Sequence, residues 1–162
     1  MKELPSPSMQ QHMHLAYSGE CISQINFSQS TSSFAGSGKT NNVIAIFAGQ
    51  LRFPSAGSWT LYTASQDGSK LYIDDEVVIN NDGVPKSMKE KSGTIDVTEV
   101  GLIKEFRLEY FKGDKGANGL ILKWKGPGKS KSVVQTTNFY TPTDVSIIGL
   151  PAYAISIPNV SR

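Results

Sequence analysis

Apolar residues alternate with polar ones at a period of two along most of this chain, and nowhere does a 3.6-residue apolar period persist over a helix length. The pattern is clearest between Gly57 and Gly83. Trp59, Leu61 and Thr63 fall on one face of an extended segment and Thr60, Tyr62 and Ala64 on the other. Gln66, Asp67, Gly68 and Ser69 supply turn chemistry, because glycine accepts positive φ and aspartate bonds its own backbone nearby. Leu71 and Ile73 restart the alternation, Asp74 and Asp75 turn the chain again, Val77 and Ile79 form a third strand, and Asn80 to Gly83 close it. Two linked hairpins are predicted.

Elsewhere the same rule predicts a short strand over Met13–Tyr17, a strand over Val43–Ala48 that is apolar on both faces and therefore central, and another over Thr94–Val97. Phe106, Leu108 and Tyr110 share one strand face, with Arg107, Glu109 and Phe111 opposite; Leu120, Leu122 and Trp124 oppose Ile121, Lys123 and Lys125. Residues 28–42, 84–92 and 112–119 read as loops. The sum is an all-β fold, an antiparallel sandwich or barrel of about ten strands, with Trp59, Leu61, Leu71, Ile73, Phe106, Leu108, Leu120, Leu122 and Trp124 inside. Its expected divisions are a flexible polar lead over 1–12, the β-sandwich over 13–135 and an apolar extended tail over 136–162.

Composition narrows the picture. A chain of 162 residues is long enough for one domain with a closed core. A net charge of +2 gives no ground for a nucleic-acid partner, and Cys21, the single cysteine, has no partner for an internal disulfide. The opening MKELPSPSMQQHMH lacks the apolar stretch of a secretory signal, and no apolar run is long enough for membrane insertion. The compartment stays open: extracellular or surface if the chain is a piece of an exported protein, otherwise part of an intracellular or particle assembly.

Candidate chemistry is sparse. GSGKT at 36–40 resembles a phosphate-binding loop, but Ser33 stands where that motif needs its first glycine, and the following NNVIAIFAGQLRF alternates like a strand instead of opening a helix. His12 and His14 share a strand face without a third ligand. Lys123, Lys125, Lys129 and Lys131 form a basic stripe around Trp124 that reads as a solvated strand edge, since lysines there also deter sheet-to-sheet aggregation. No Ser–His, Cys–His or paired-carboxylate pattern marks an enzyme.

SQDGSKLYID, followed by a β-branched strand and NNDG, resembles the signature of the protective-antigen (PA14) domain family, whose usual form is near SDDGSxLxIDGxxVxDNDG. FPSAGSWTLY upstream and EVGLIKEFRLEYFKGDKGANGLILKWKGPG downstream resemble its flanking motifs in the same order, so the likeness covers about 15–134. The resemblance implies a lectin-like β-sandwich in which two adjacent aspartates, joined by a cis peptide, hold a calcium ion that coordinates sugar hydroxyls, with a second loop completing the site. Carried over, the first aspartate is Gln66, the second is Asp67, and Asn118 is the ligand from the second loop. Gln66, Asp67 and Asn118 are thus the candidate glycan-binding residues, with Asp67 and Asn118 the candidate calcium ligands. An amide oxygen adds no negative charge, so a weak calcium site or none is expected. Asp74-Asp75 replaces the family's Asp-Gly and puts Asp75 at positive φ with some strain.

Two functions remain open from the sequence: a non-catalytic carbohydrate-binding or adhesion module, or a structural module that contacts a neighbouring protein in a larger assembly. Residues 136–162 bear on the second. Only Asp144 and Arg162 are charged there, and a segment so apolar needs covering, by its own sandwich or by strand addition to a neighbouring subunit.

Overall fold

The computed structural model describes residues 15–18, 24–140 and 152–156, the first and last of these as backbone alone. The lead over 1–12, His12, His14, Cys21 and most of the tail lie outside the described residues.

Two antiparallel sheets form a sandwich, and no α-helix occurs among the described residues. The strands are β1 (Leu15–Ser18), β2 (Asn26–Ser30), β3 (Val43–Arg52), β4 (Gly57–Gln66), β5 (Gly68–Ile73), β6 (Glu76–Asn81), β7 (Lys89–Val97), β8 (Ile103–Lys112), β9 (Asn118–Lys125), β10 (Ser132–Val133), β11 (Phe139–Tyr140) and β12 (Ala152–Ser156). One sheet runs β1-β12-β3-β8-β5-β6, with β11 also on β3; the other runs β10-β9-β4-β7, with β2 also on β9. The linked hairpins expected over 57–83 are β4, β5 and β6, but they are shared between the sheets: β4 pairs with β7 and β9, while β5 pairs with β6 and β8. The step from Gln66 to Gly68 therefore carries the chain from one layer to the other.

Every side chain expected inside is buried. At one end of the core Phe53, Trp59 and Trp124 pack with ring centroids 4.6–5.6 Å apart, and the Trp59 indole donates to the Ser55 carbonyl at 2.9 Å. A Cβ at Gly126 would lie 2.5 Å from the Trp59 ring, so glycine there is what lets the chain pass beneath the indole. At the other end Phe27, Phe34, Phe47 and Tyr110 form a second aromatic group.

Two of the expected loops are partly strand or helical turn. Residues 28–42 are not all loop, because β2 runs to Ser30 and a 3-10 turn occupies Phe34–Gly36. The lysine-rich segment 84–92 contains the start of β7, which extends from Lys89. β2 and the first part of β7 lie at sheet borders with mostly solvated side chains, so no apolar alternation announces them. At the β5–β6 turn both Asp74 (φ 48°) and Asp75 (φ 65°) are left-handed, the geometry of a two-residue hairpin of the mirror-image type. Asp74 is held there by the Glu105 backbone N–H, which donates to its Oδ1 at 2.9 Å, and by Lys104 at 2.7 Å. After the GSGKT loop comes β3, as the alternation predicts.

The backbone of Ala152–Ser156 pairs with β3 in register from Ala152↔Phe47 to Ser156↔Val43, and β1 pairs with its other side. This piece of the 136–162 segment therefore lies inside its own sheet, between two strands, instead of along its edge.

Trp124→Ala is expected to cost about 3–5 kcal/mol, read as a lowered urea midpoint, because the indole fills the aromatic end of the core. Asp75→Gly should raise the same midpoint through a gain of up to ~1 kcal/mol in stability, since glycine meets no Cβ penalty at φ 65°.

Candidate functional site

The site read from the sequence sits where β4 hands over to β5. Gln66 ends β4, the Gln66–Asp67 peptide is cis, and Gly68 opens β5. Gly68 has no room for a side chain: a Cβ would lie 2.2 Å from the Phe111 ring.

Asp67 is 3% exposed, and its Oδ2 accepts two hydrogen bonds, from Lys112 Nζ at 3.0 Å and from the Gly113 backbone N–H at 2.9 Å. Lys112 is fully buried, and its ammonium also donates to the Lys115 carbonyl. The ion pair thus ties the β4–β5 step to the loop after β8. The turn-rich residues 112–119 place Lys112 at the start of a loop, whereas β8 runs through it. Its signal was the register of β8: Lys112 continues the Phe106, Leu108, Tyr110 series that faces inward.

Tyr110 makes a second tie. Its hydroxyl donates to the Gln66 carbonyl and accepts from the Gly119 N–H at 3.2 Å. Burial pushes the phenol well above its ordinary range, with the Asp67 charge acting in the same direction and the Gly119 N–H against it, so it remains a donor. Behind it Ser65, Ser69 and Thr63 exchange hydroxyl hydrogen bonds, and the Asn81 amide donates to the Thr63 and Lys89 carbonyls at 3.1 and 2.8 Å.

Gln66 and Asn118, 5% and 2% exposed, direct their amide nitrogens inward. Gln66 Nε2 donates to the Lys86 carbonyl at 3.2 Å, and Asn118 Nδ2 donates to the carbonyls of Ser32 at 2.8 Å and Thr40 at 3.3 Å. Gln66 Oε1 is buried with no hydrogen-bond partner among the described residues. The structure therefore brings Asp67 together with the 112–118 loop, whereas Gln66 and Asn118 each hold a further loop, 82–88 and 31–42. Among the described residues no three His, Cys, Asp or Glu side chains lie together as a metal-holding group.

The basic stripe is partly neutralised. Lys123 and Lys131 both pair with Glu90, and Lys131 Nζ lies 3.9 Å from the Tyr62 ring centre. Burial would raise the Glu90 carboxyl, but hydrogen bonds from Lys131 and Lys123 outweigh it and hold the group below its usual range. The Tyr72 ring is covered by Arg107, 4.0 Å from its centre. No helix among the described residues is long and apolar enough to cross a membrane.

Comparison with known proteins adds a family. The family model described as PA14 domain matches residues 8–138. No curated protein sequence matches the chain. Among solved structures, an anti-sigma factor domain-containing protein superposes with a TM-score of 0.67 at 20% identity, covering 79% of this chain and 48% of that one. A PA14 sugar-binding domain from an RTX adhesin gives 0.54 at 14% identity, covering 69% and 72%. The epithelial adhesin 6 A domain from Candida glabrata, in complex with Galb1-3GlcNAc, gives 0.59 at 14% identity, covering 81% and 70%. The chain thus spans about half the length of the anti-sigma factor relative.

Tyr110→Phe tests the second tie. It strands the buried Gln66 carbonyl and Gly119 N–H, and should cost about 1–3 kcal/mol in denaturant unfolding.

Proposed function

The chain belongs to the PA14 domain family, and from that premise we propose that it is a non-catalytic recognition module that takes a carbohydrate at the loop end of its sandwich. The observation that carries this reading is the set of hydrogen bonds by which three buried side chains fix four chain segments in one frame: Asp67 to Gly113, Gln66 to Lys86, and Asn118 to Ser32 and Thr40. Loops ordered before the ligand arrives lose less entropy on binding, which matters for weak, hydroxyl-rich ligands. The frame also holds polar groups outward: Ser32, Ser33, Lys39, Lys86, Asp114 and Lys115 are exposed or hold exposed positions on these loops. They supply the mixed donors and acceptors that sugar hydroxyls require. In this reading Gln66, Asp67 and Asn118 are positioning residues, and the exposed loop side chains meet the glycan. Relatives of the same fold described as sugar-binding, or solved with a disaccharide, support the ligand class.

A glycan array probed with the full chain, followed by calorimetry on the best ligand, tests it. Asp114→Ala and Lys115→Ala should each weaken binding ~10-fold or more. Lys125→Ala, at the opposite end of β9, should leave it unchanged. Absence of binding across the array would contradict the carbohydrate reading and favour the module that contacts a neighbouring protein.

A further inference from the structure

We infer that the Lys112 ammonium is the resident cation of the loop end, standing in the place a divalent ion would need, so that the frame assembles without metal. The family resemblance puts a calcium ion between the second aspartate and the loop after β8. In this chain the same two elements are joined by Lys112, whose Nζ reaches Asp67 Oδ2 at 3.0 Å and the Lys115 carbonyl. The side chain is fully buried, so the contact is part of the packed interior and not a surface pairing.

The donor set does not fit calcium. Calcium takes six to eight oxygens, with carboxylates supplying the charge. Asp67 Oδ2 is already engaged by two N–H donors, Lys112 Nζ and the Gly113 backbone. Gln66 and Asn118 offer only neutral amide oxygens, Gln66 Oε1 being buried without a hydrogen-bond partner among the described residues, and no three acidic side chains gather here among those residues. A dication bound to Asp67 would also face an ammonium a hydrogen bond away from that carboxylate, an unfavourable like-charge contact in a water-poor setting. The neutral side chain at Gln66 and the positive charge of Lys112 act in the same direction. A tethered cation cannot dissociate, so the geometry of the loop end becomes independent of calcium concentration.

Thermal unfolding of the full chain tests this without any glycan, so its outcome is separate from that of the carbohydrate reading. The midpoint should agree within ~1 °C between a chelator and ~10 mM calcium, a concentration above the dissociation constants of weak extracellular calcium modules. Lys112→Met, which keeps the bulk and removes the charge, should lower the midpoint by ~10 °C or more, because it leaves the Asp67 carboxylate buried and unpaired. Asp67→Asn combined with Lys112→Met should recover part of that loss. If Lys112→Met does not fold, the double variant must still fold or be the more soluble of the two. A wild-type midpoint raised by calcium, a Lys112→Met chain as stable as wild type, or a double variant no better than Lys112→Met would each overturn the inference.

Discussion

A carboxylate taken out of water has to be paired, and in this sandwich that demand falls on Asp67, at the short step by which β4 hands the chain over to β5 in the other sheet. Its partners are the Lys112 ammonium and the Gly113 N–H, both at the end of β8. Because β8 is bonded along one side to β3 and along the other to β5, the pair fastens the crossover to the middle of the larger sheet. Removing either charge leaves the other buried, so the two residues constrain one another more than either stabilises the fold alone. Tyr110, two residues earlier on the same inward face, repeats the device with a neutral donor.

From that fixed point the neighbouring loops are held by amides. Gln66 and Asn118 lie opposite each other's strands, with Gln66 in register with Gly119, and each reaches away from the pair to a different loop. The far end of the sandwich is held differently, by the packed rings of Phe53, Trp59 and Trp124. One end is thus closed by rings alone, and the other adds a polar frame to its own aromatic group. That division lets side chains of the loops at the polar end vary without disturbing the core.

Much of this was legible in the amino-acid order. Period-two alternation through Trp59, Leu61, Leu71, Ile73, Leu120 and Leu122 reports which face is buried, because a strand has only two faces to choose between. β2 and the start of β7 were not legible, since sheet-border strands with solvated side chains carry no apolar signal. Asp67 was readable from its turn chemistry and its family motif. The role of Lys112 was hidden by its residue type: a lysine beside Gly113 and Asp114 reads as surface, and only its place in the inward series of β8 argues otherwise. Which way the Gln66 and Asn118 amides point depends on the carbonyls of loops distant in sequence, and no local pattern encodes that.

The central claim is that the cation at the loop end is covalently part of the chain. A crystal structure from crystals grown in ~10 mM calcium tests it most directly, because an ammonium and a calcium ion differ in both coordination number and ligand distance. The account predicts Lys112 Nζ beside Asp67 Oδ2, as at 3.0 Å here, with no ion between the carboxylate and the 112–118 loop. A calcium ion ligated by Asp67, with the Lys112 side chain displaced from it, would contradict the account.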